Sequence, residues 1–324
     1  MIRPALIALG LSLAAPANAD VAAVVDGRLL PGYQAFAAAA ADLSSQAAGT
    51  CEPAALQPAW NAAFDAWLQV SWFHLGPSET DGRALAIQFW PDPKNLGAKA
   101  QRGLLTGDPA RLEPEAFADQ SVAARGLMGL ERLLYPQEPP EADPCALIRA
   151  TAADLARMAA EIDADWQGGY ARTLTTAGAA DNTTFLTAPE ATQAIFTQLA
   201  TGLEVLADQK LGRPLGTFDK PRPERAESRA SGRSLHNVVV ALQALRSATQ
   251  ALEPQAPTTL AAFDHALSLA AALQDPVFAG VDEPSGHLKV EILQQAIRAI
   301  REALITEIGG SLGVDLGFNS QDGD

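Results

Sequence analysis

The stretch PAALQPAWNAAFDAWLQVSWFHL, residues 53–75, constrains the fold more than any other part of this chain. Leu56, Trp60, Phe64, Trp67, Leu68 and Ser71 recur at three- and four-residue steps, so a helix here stacks its aromatic side chains on one face. An apolar stripe of that size has to be covered by other elements, and it reads as core, not as a cofactor box. The covering elements read as helices too. Ala and Leu dominate the long segments, and runs of Val, Ile and Thr in strict alternation are few, so the fold class is all-α. Helices are expected over 33–48 (introduced by Pro31-Gly32), 53–75 (ended by Gly76-Pro77), 95–106 and 122–135 (stopped by Pro136). Further helices are expected from Pro144 or Cys145 through Trp166, and over 188–211, 234–252, 257–273 and 287–308. Eight or so helices of this length predict two bundles with up-and-down packing, divided near residues 170–187.

The chain opens with the pattern of an export signal. Arg3 gives the positive start, residues 5–15 a short apolar core, and Ala17-Asn18-Ala19 the small-x-small cleavage pattern. Residues 1–19 are therefore expected to be removed, leaving a bundle over 20–175 and a second over 176–324 in a periplasmic protein. No segment is long and uncharged enough to predict a transmembrane helix. The two cysteines, Cys51 and Cys145, are expected to pair as a disulfide in an oxidising compartment. With 23 basic against 38 acidic side chains the net charge is −15. That balance disfavours nucleic acid as a partner, because phosphates need a basic surface.

A search for chemistry returns mostly absences: no HExxH, no phosphate-binding loop, no nucleotide-binding glycine fingerprint and no nucleophile elbow. Of four histidines, His265 and His287 are expected at solvent-exposed positions. His74, beside Gly76-Pro77, and His236, opening a helix after SGRS, are either ligands or hydrogen-bonded structural groups.

Three motifs in order point to a family. WFHLGPSETDGRALAIQFWPDPKN resembles the stretch of imelysin-like proteins in which a helix ends at Gly-Pro and a Phe-Trp-Pro-Asp segment follows. GLMGLERLLYP is similar to that family's Gly-x-His-x-x-Glu helix, and ERAESRASGRSLHNVVVALQAL resembles its Ser-Gly-x-Ser-Leu helix opening. The resemblance implies an exported protein of two four-helix bundles, associated with iron-regulated bacterial envelopes and grouped historically with metallopeptidases. Gly126 and Glu131 match the motif's glycine and glutamate; Met128 stands where its histidine would be.

That departure bears on mechanism. A His and a Glu three residues apart share a helical face and can offer a nitrogen and an oxygen to a metal, or a base and an acid to a water. A thioether is a poor ligand for hard or borderline cations and cannot accept a proton in catalysis. Glu131, among Leu127, Leu130, Leu133 and Leu134, needs a cation or donors if buried, with Arg125, Arg83 and Arg233 as candidates and Arg132 pointing away. It is expected to be an internal ion-pair or capping group, a surface glutamate, or part of a polar pocket with Asp92 and His74 or His236. Asp92 in WPDPKN is also ordinary turn chemistry. A metal ion (Fe, Cu or Zn) is the candidate cofactor, with Glu131 and Asp92 as candidate ligands. The arginine-rich segment 213–233 is either a solvated connection or a clamp for an anionic ligand or for Glu131. Three function classes follow: a non-catalytic binding or accessory protein of iron or metal uptake, taking a metal or small anionic ligand or an envelope protein partner; a metallopeptidase; and a structural or interaction protein of the envelope. The first leads, because the catalytic histidine is missing.

Overall fold

The computed structural model describes residues 19–312. The expected export signal lies outside them, apart from Ala19. Eleven helices are labelled here. α1 runs over 21–49 and α2 is Pro53–Leu68. The short α3 (Arg83–Ile87), α4 (Leu96–Leu105), α5 (Pro114–Ala118) and α6 (Gly126–Leu134) follow. α7 covers 145–175 and α8 covers 188–215; α9 is Ser234–Leu252, α10 is Pro257–Leu273 and α11 covers 284–312. No strand occurs among the described residues beyond one isolated bridge between Thr217 and Lys220. No helix of the described residues is long and apolar enough to cross a membrane.

The fold is two four-helix bundles. α1, α2, α6 and α7 form the first, and α8 to α11 the second. The aromatic stripe of α2 is core as expected: Trp60, Phe64 and Trp67 are buried, Phe36 of α1 lies against Trp67, and Tyr33 stacks on Trp166 of α7 at 5.1 Å between ring centroids. In the second bundle Leu199 and Leu203 of α8 meet Leu242 and Leu245 of α9, Phe263 of α10 and Ile297 of α11 in the same buried cluster. Cys51 and Cys145 form a disulfide that ties the α1–α2 turn to the start of α7.

Three differences from the sequence expectation stand out, two of them at prolines. Pro31 does not introduce a helix but lies inside α1, directly after a π turn over Val25–Leu29. Proline lacks the N–H for the helical ladder and crowds the carbonyl one turn back; the wider π turn re-spaces that carbonyl. The same arrangement recurs in α8, where Pro214 follows a π turn over Val205–Leu211. The α2 helix ends at Leu68, well before Gly76-Pro77, and Val70, Trp72 and Phe73 bury themselves from the following turns.

The arginine-rich segment between α8 and α9 is a packed insertion: Glu227, Ser228 and Arg233 are buried within it. This loop, α9 and the first turn of α1 make the seam between the bundles. Asp20 N–H donates to the carbonyl of Leu252, and α9 packs on both α1 and α2.

Candidate functional site

Glu131 sits on α6 at this seam. The helix begins at Gly126, whose φ of +63° is a left-handed conformation, and a Cβ there would collide with the carbonyl oxygens of Ala86 and Ile87. Glycine is thus required for α6 to lie against α3. Trp60 Nε1 donates to the carbonyl of Leu127 at 3.0 Å, pinning the same turn to α2. With both sides covered, Glu131 is 4 % exposed. Its Oε1 accepts from Ser231 twice, from the backbone N–H at 3.1 Å and from Oγ at 2.6 Å. Burial raises the Glu131 pKa, and the nearby Glu227 adds to that; the Ser231 hydrogen bonds and the Arg132 charge act the other way. The neutral acid is the favoured form relative to an exposed glutamate.

Glu227 is a second buried carboxylate at the seam. It accepts from Gln88 Nε2 at 2.7 Å and Asn237 Nδ2 at 3.0 Å, and it is ion-paired with Lys210. Gln88 is oriented in turn by Trp67, whose Nε1 donates to Gln88 Oε1 at 2.7 Å. The chain of bonds from α2 through Gln88 to Glu227 therefore crosses from one bundle to the other. A second crossing is made by Arg233, which donates to Asn61 and Asp65 of α2 and to Asn237 Oδ1 at 3.1 Å. Its guanidinium stands 5.5 Å from the Trp60 ring and 5.0 Å from the Phe64 ring, and His236 Nε2 lies 2.8 Å from the same Asp65. Beside this network, between residues 67–91 of the first bundle and α8 and α9 of the second, is a cavity of about 350 Å³. Trp67, Trp72, Trp90, Leu206 and Leu245 wall it, and Lys210 and Glu227 border it.

The sequence model of the imelysin family, Peptidase_M75, matches residues 29–304. The chain belongs to the imelysin family. A relative, Iron-regulated protein A of Synechococcus elongatus, is 26 % identical over 330 residues, covering 93 % of this chain and 88 % of the relative. Among solved structures, an imelysin-like protein from Psychrobacter arcticum superposes with a TM-score of 0.79 at 20 % identity, covering 92 % of this chain and 96 % of that one. A structure described as that of a putative iron-regulated protein A precursor from Parabacteroides distasonis gives 0.72 at 14 % identity, covering 91 % and 97 %.

For this imelysin-family chain, the residues singled out in the sequence separate into two groups. Glu131, Arg233 and His236 lie at the seam, and Gly126 and Met128 are buried on the same α6 as Glu131. None of the arginines expected to neutralise Glu131 bonds to it. Arg125 makes a two-pronged pair with Asp154, Arg83 pairs with Glu161 and Asp165, and Arg233 goes to Asp65. Arg125 and Arg83 find carboxylates within the first bundle, Arg233 reaches across the seam to α2, and Glu131 is served by Ser231 instead. Arg132 donates to Gln101 and to the carbonyl of Ala123, yet its charge still favours the ionised form of Glu131.

Asp92 spends both oxygens at the start of α4, accepting from Leu96 N–H at 2.8 Å and Gly97 N–H at 2.7 Å. His74 is exposed, with Nδ1 3.3 Å from Glu79, at the mouth of the cavity. His287, expected at the surface, is buried: the first turn of α11 tucks it under Phe218, with Nδ1 3.3 Å from the carbonyl of Val281. Among the described residues no group of three His, Cys, Asp or Glu side chains is placed to hold a metal ion.

Sequence reasoning missed Ser231, Glu227, Lys210, Gln88 and Asp65 as members of the seam. Ser231 was within reach, since it is the first serine of the Ser-Gly-x-Ser-Leu motif, and Glu227 lies four residues before it. Gln88 and Asp65 carry no local signal, because their partners are more than 100 residues away.

Proposed function

We propose that this imelysin-family protein is exported to the periplasm and binds a ligand at the seam in support of iron or other metal uptake, without cleaving a substrate. One observation carries the reading: Glu131, the surviving acid of the family-like motif, is buried and committed to Ser231, while Met128 occupies the place of the motif's histidine. A buried carboxyl held by two donors, with a thioether one turn away, offers neither a general base nor a pair of metal ligands. The cavity beside the linked carboxyl Glu227 supplies a place for a ligand. The iron connection is supported by the names of the Synechococcus and Parabacteroides proteins, and export by the signal-like start and the disulfide.

The test has two arms. In a strain lacking this chain, radioactive iron uptake under iron limitation is expected to fall and to be restored by the parent sequence; equal uptake with and without the chain removes the iron role. The purified protein is expected to leave peptide substrates intact. Cleavage that is abolished by a chelator and lost in Glu131→Gln overturns the binding reading in favour of a metallopeptidase.

A further inference from the structure

We propose that the seam cavity takes a compact, ring-bearing organic anion, its ring against the indoles of Trp67, Trp72 and Trp90 and its anionic oxygens on Lys210 Nζ. The proposal rests on the binding reading above and names the chemical class of the ligand.

Size comes first. A cavity of about 350 Å³ is at the small end of ligand pockets, which run from about 300 to 1,000 Å³, so it suits a single compact ring system and not a peptide. Its walls come next. Trp67, Trp72, Leu68, Leu206 and Leu245 are buried and line it with apolar atoms, while half-buried Trp90 offers more of its indole, and together they favour a compact apolar body. Leu85, more than half exposed, lies at the same opening, so apolar surface extends to the rim.

Polar capacity decides the sign of the ligand's charge. Glu227 already accepts from Gln88, Lys210 and Asn237, so its lone pairs are largely spent. Lys210 has three N–H donors and gives one to Glu227, while its Nζ lies 4.9 Å from the Trp90 ring centroid. The side chain is only 12 % exposed, so its remaining donors face a poorly hydrated space where an accepting oxygen is strongly favoured. Arg213 brings a second cation to the same indole at 5.7 Å, and its buried Nε has no hydrogen-bond partner. Of the charges that line the cavity, Glu227 is paired with Lys210, and Glu79 lies beside His74, which leaves Lys210 as the group with donors to spare; Arg213 adds its charge from outside the lining, and an organic cation placed at Trp90 would meet both. The cavity is therefore built as a donor-rich end on an apolar slot.

The probe is 1-anilinonaphthalene-8-sulfonate, a fused ring with one sulfonate, compared with N-phenyl-1-naphthylamine, the same ring system without the anion. Both are titrated by fluorescence into the full chain with chelator present, so that failure here is read separately from failure of iron uptake. Ser71→Phe and Ala241→Phe fill the cavity from the first and the second bundle respectively. Lys210→Met combined with Glu227→Gln removes the cation without leaving an orphaned buried charge.

The expected result is one sulfonate probe per chain, lost in whichever filling variant keeps parental helicity. In the double variant its binding is weakened roughly tenfold or more, a typical effect for one charge-assisted hydrogen bond, while the uncharged probe changes by less than about twofold. No binding to the parent, binding that survives both filling variants, or equal weakening of both probes in the double variant would each overturn the proposal.

Discussion

A carboxyl group inside a helical bundle is stable either as an ion with donors on every oxygen or as a neutral acid. Glu131 has two donors, both from Ser231 and both on one oxygen, so the neutral form gains. The sign of the pH effect follows. In the unfolded chain the group ionises near the ordinary glutamate value of 4.5, whereas burial raises its folded pKa above that. Between the two, the unfolded state releases a proton that the folded state keeps, so this group's contribution to stability is full below the unfolded pKa and is lost as pH rises through the folded one. Glu131→Gln keeps an oxygen for Ser231 and removes the titration. The variant is expected to match the parent near pH 4 and to exceed it in stability at pH 7.5. Urea unfolding at the two pH values checks it, and a stability gap that does not widen with pH would sink the assignment. Sequence could place Glu131 among leucines and state that it needed a partner. It could not name Ser231, because a contact between residues 100 apart leaves no periodic trace.

At the level of elements, helices with plain start and stop signals were legible to the residue. α9 and α10 occupy the expected ranges, bounded by Ser234 after Gly232 and by Pro257. The π turns were not, because one inserted residue per turn alters the ladder without disturbing an Ala- and Leu-rich composition. The short α3 and α5 escaped as well, being five residues each and too brief to show a period.

Asp92 illustrates how a residue with a plausible metal-binding chemistry is absorbed by an element. Its pair of bonds to Leu96 and Gly97 N–H groups has a counterpart in the second bundle, where Asp275 accepts from Ala279 and Gly280 N–H groups at 2.9 and 2.7 Å. In both, a residue with positive φ, Asn95 or Phe278, turns the chain so that two successive amides face the carboxylate. Asp92→Ala is expected to cost about 1–2 kcal/mol of stability, the range for loss of a helix cap, with Asp92→Asn retaining much of it. Chemical denaturation measures the difference. A variant as stable as the parent would mean that the aspartate is free for another task.

On the scale of the whole molecule, the question is what makes two bundles one protein. Their buried aromatic and aliphatic side chains form one continuous cluster, from Trp60 and Trp67 of the first bundle to Leu242 and Phe263 of the second. Across the seam run the first turn of α1 on α9, the Gln88–Glu227–Lys210 group, Ser231 on Glu131, His74 N–H on Gln198, and Arg233 on α2. Arg233 is the most connected of these, with Asn61, Asp65, Asn237 and two aromatic faces. Asp65 is 41 % exposed and can return to water when the arginine is removed, so the ion pair itself counts for little. The amide oxygens of half-buried Asn61 and buried Asn237 lose their donor, and the aromatic faces lose a cation.

Arg233→Met preserves the apolar stem and is therefore expected to cost about 2 kcal/mol, concentrated at the joint and not inside either core. The signature would be in cooperativity. The parent is expected to unfold in one calorimetric transition, and the variant to broaden toward two, with a calorimetric enthalpy exceeding the van't Hoff value. If Arg233→Met instead lowers the midpoint of a single, equally sharp transition, the bundles are coupled through their apolar contacts.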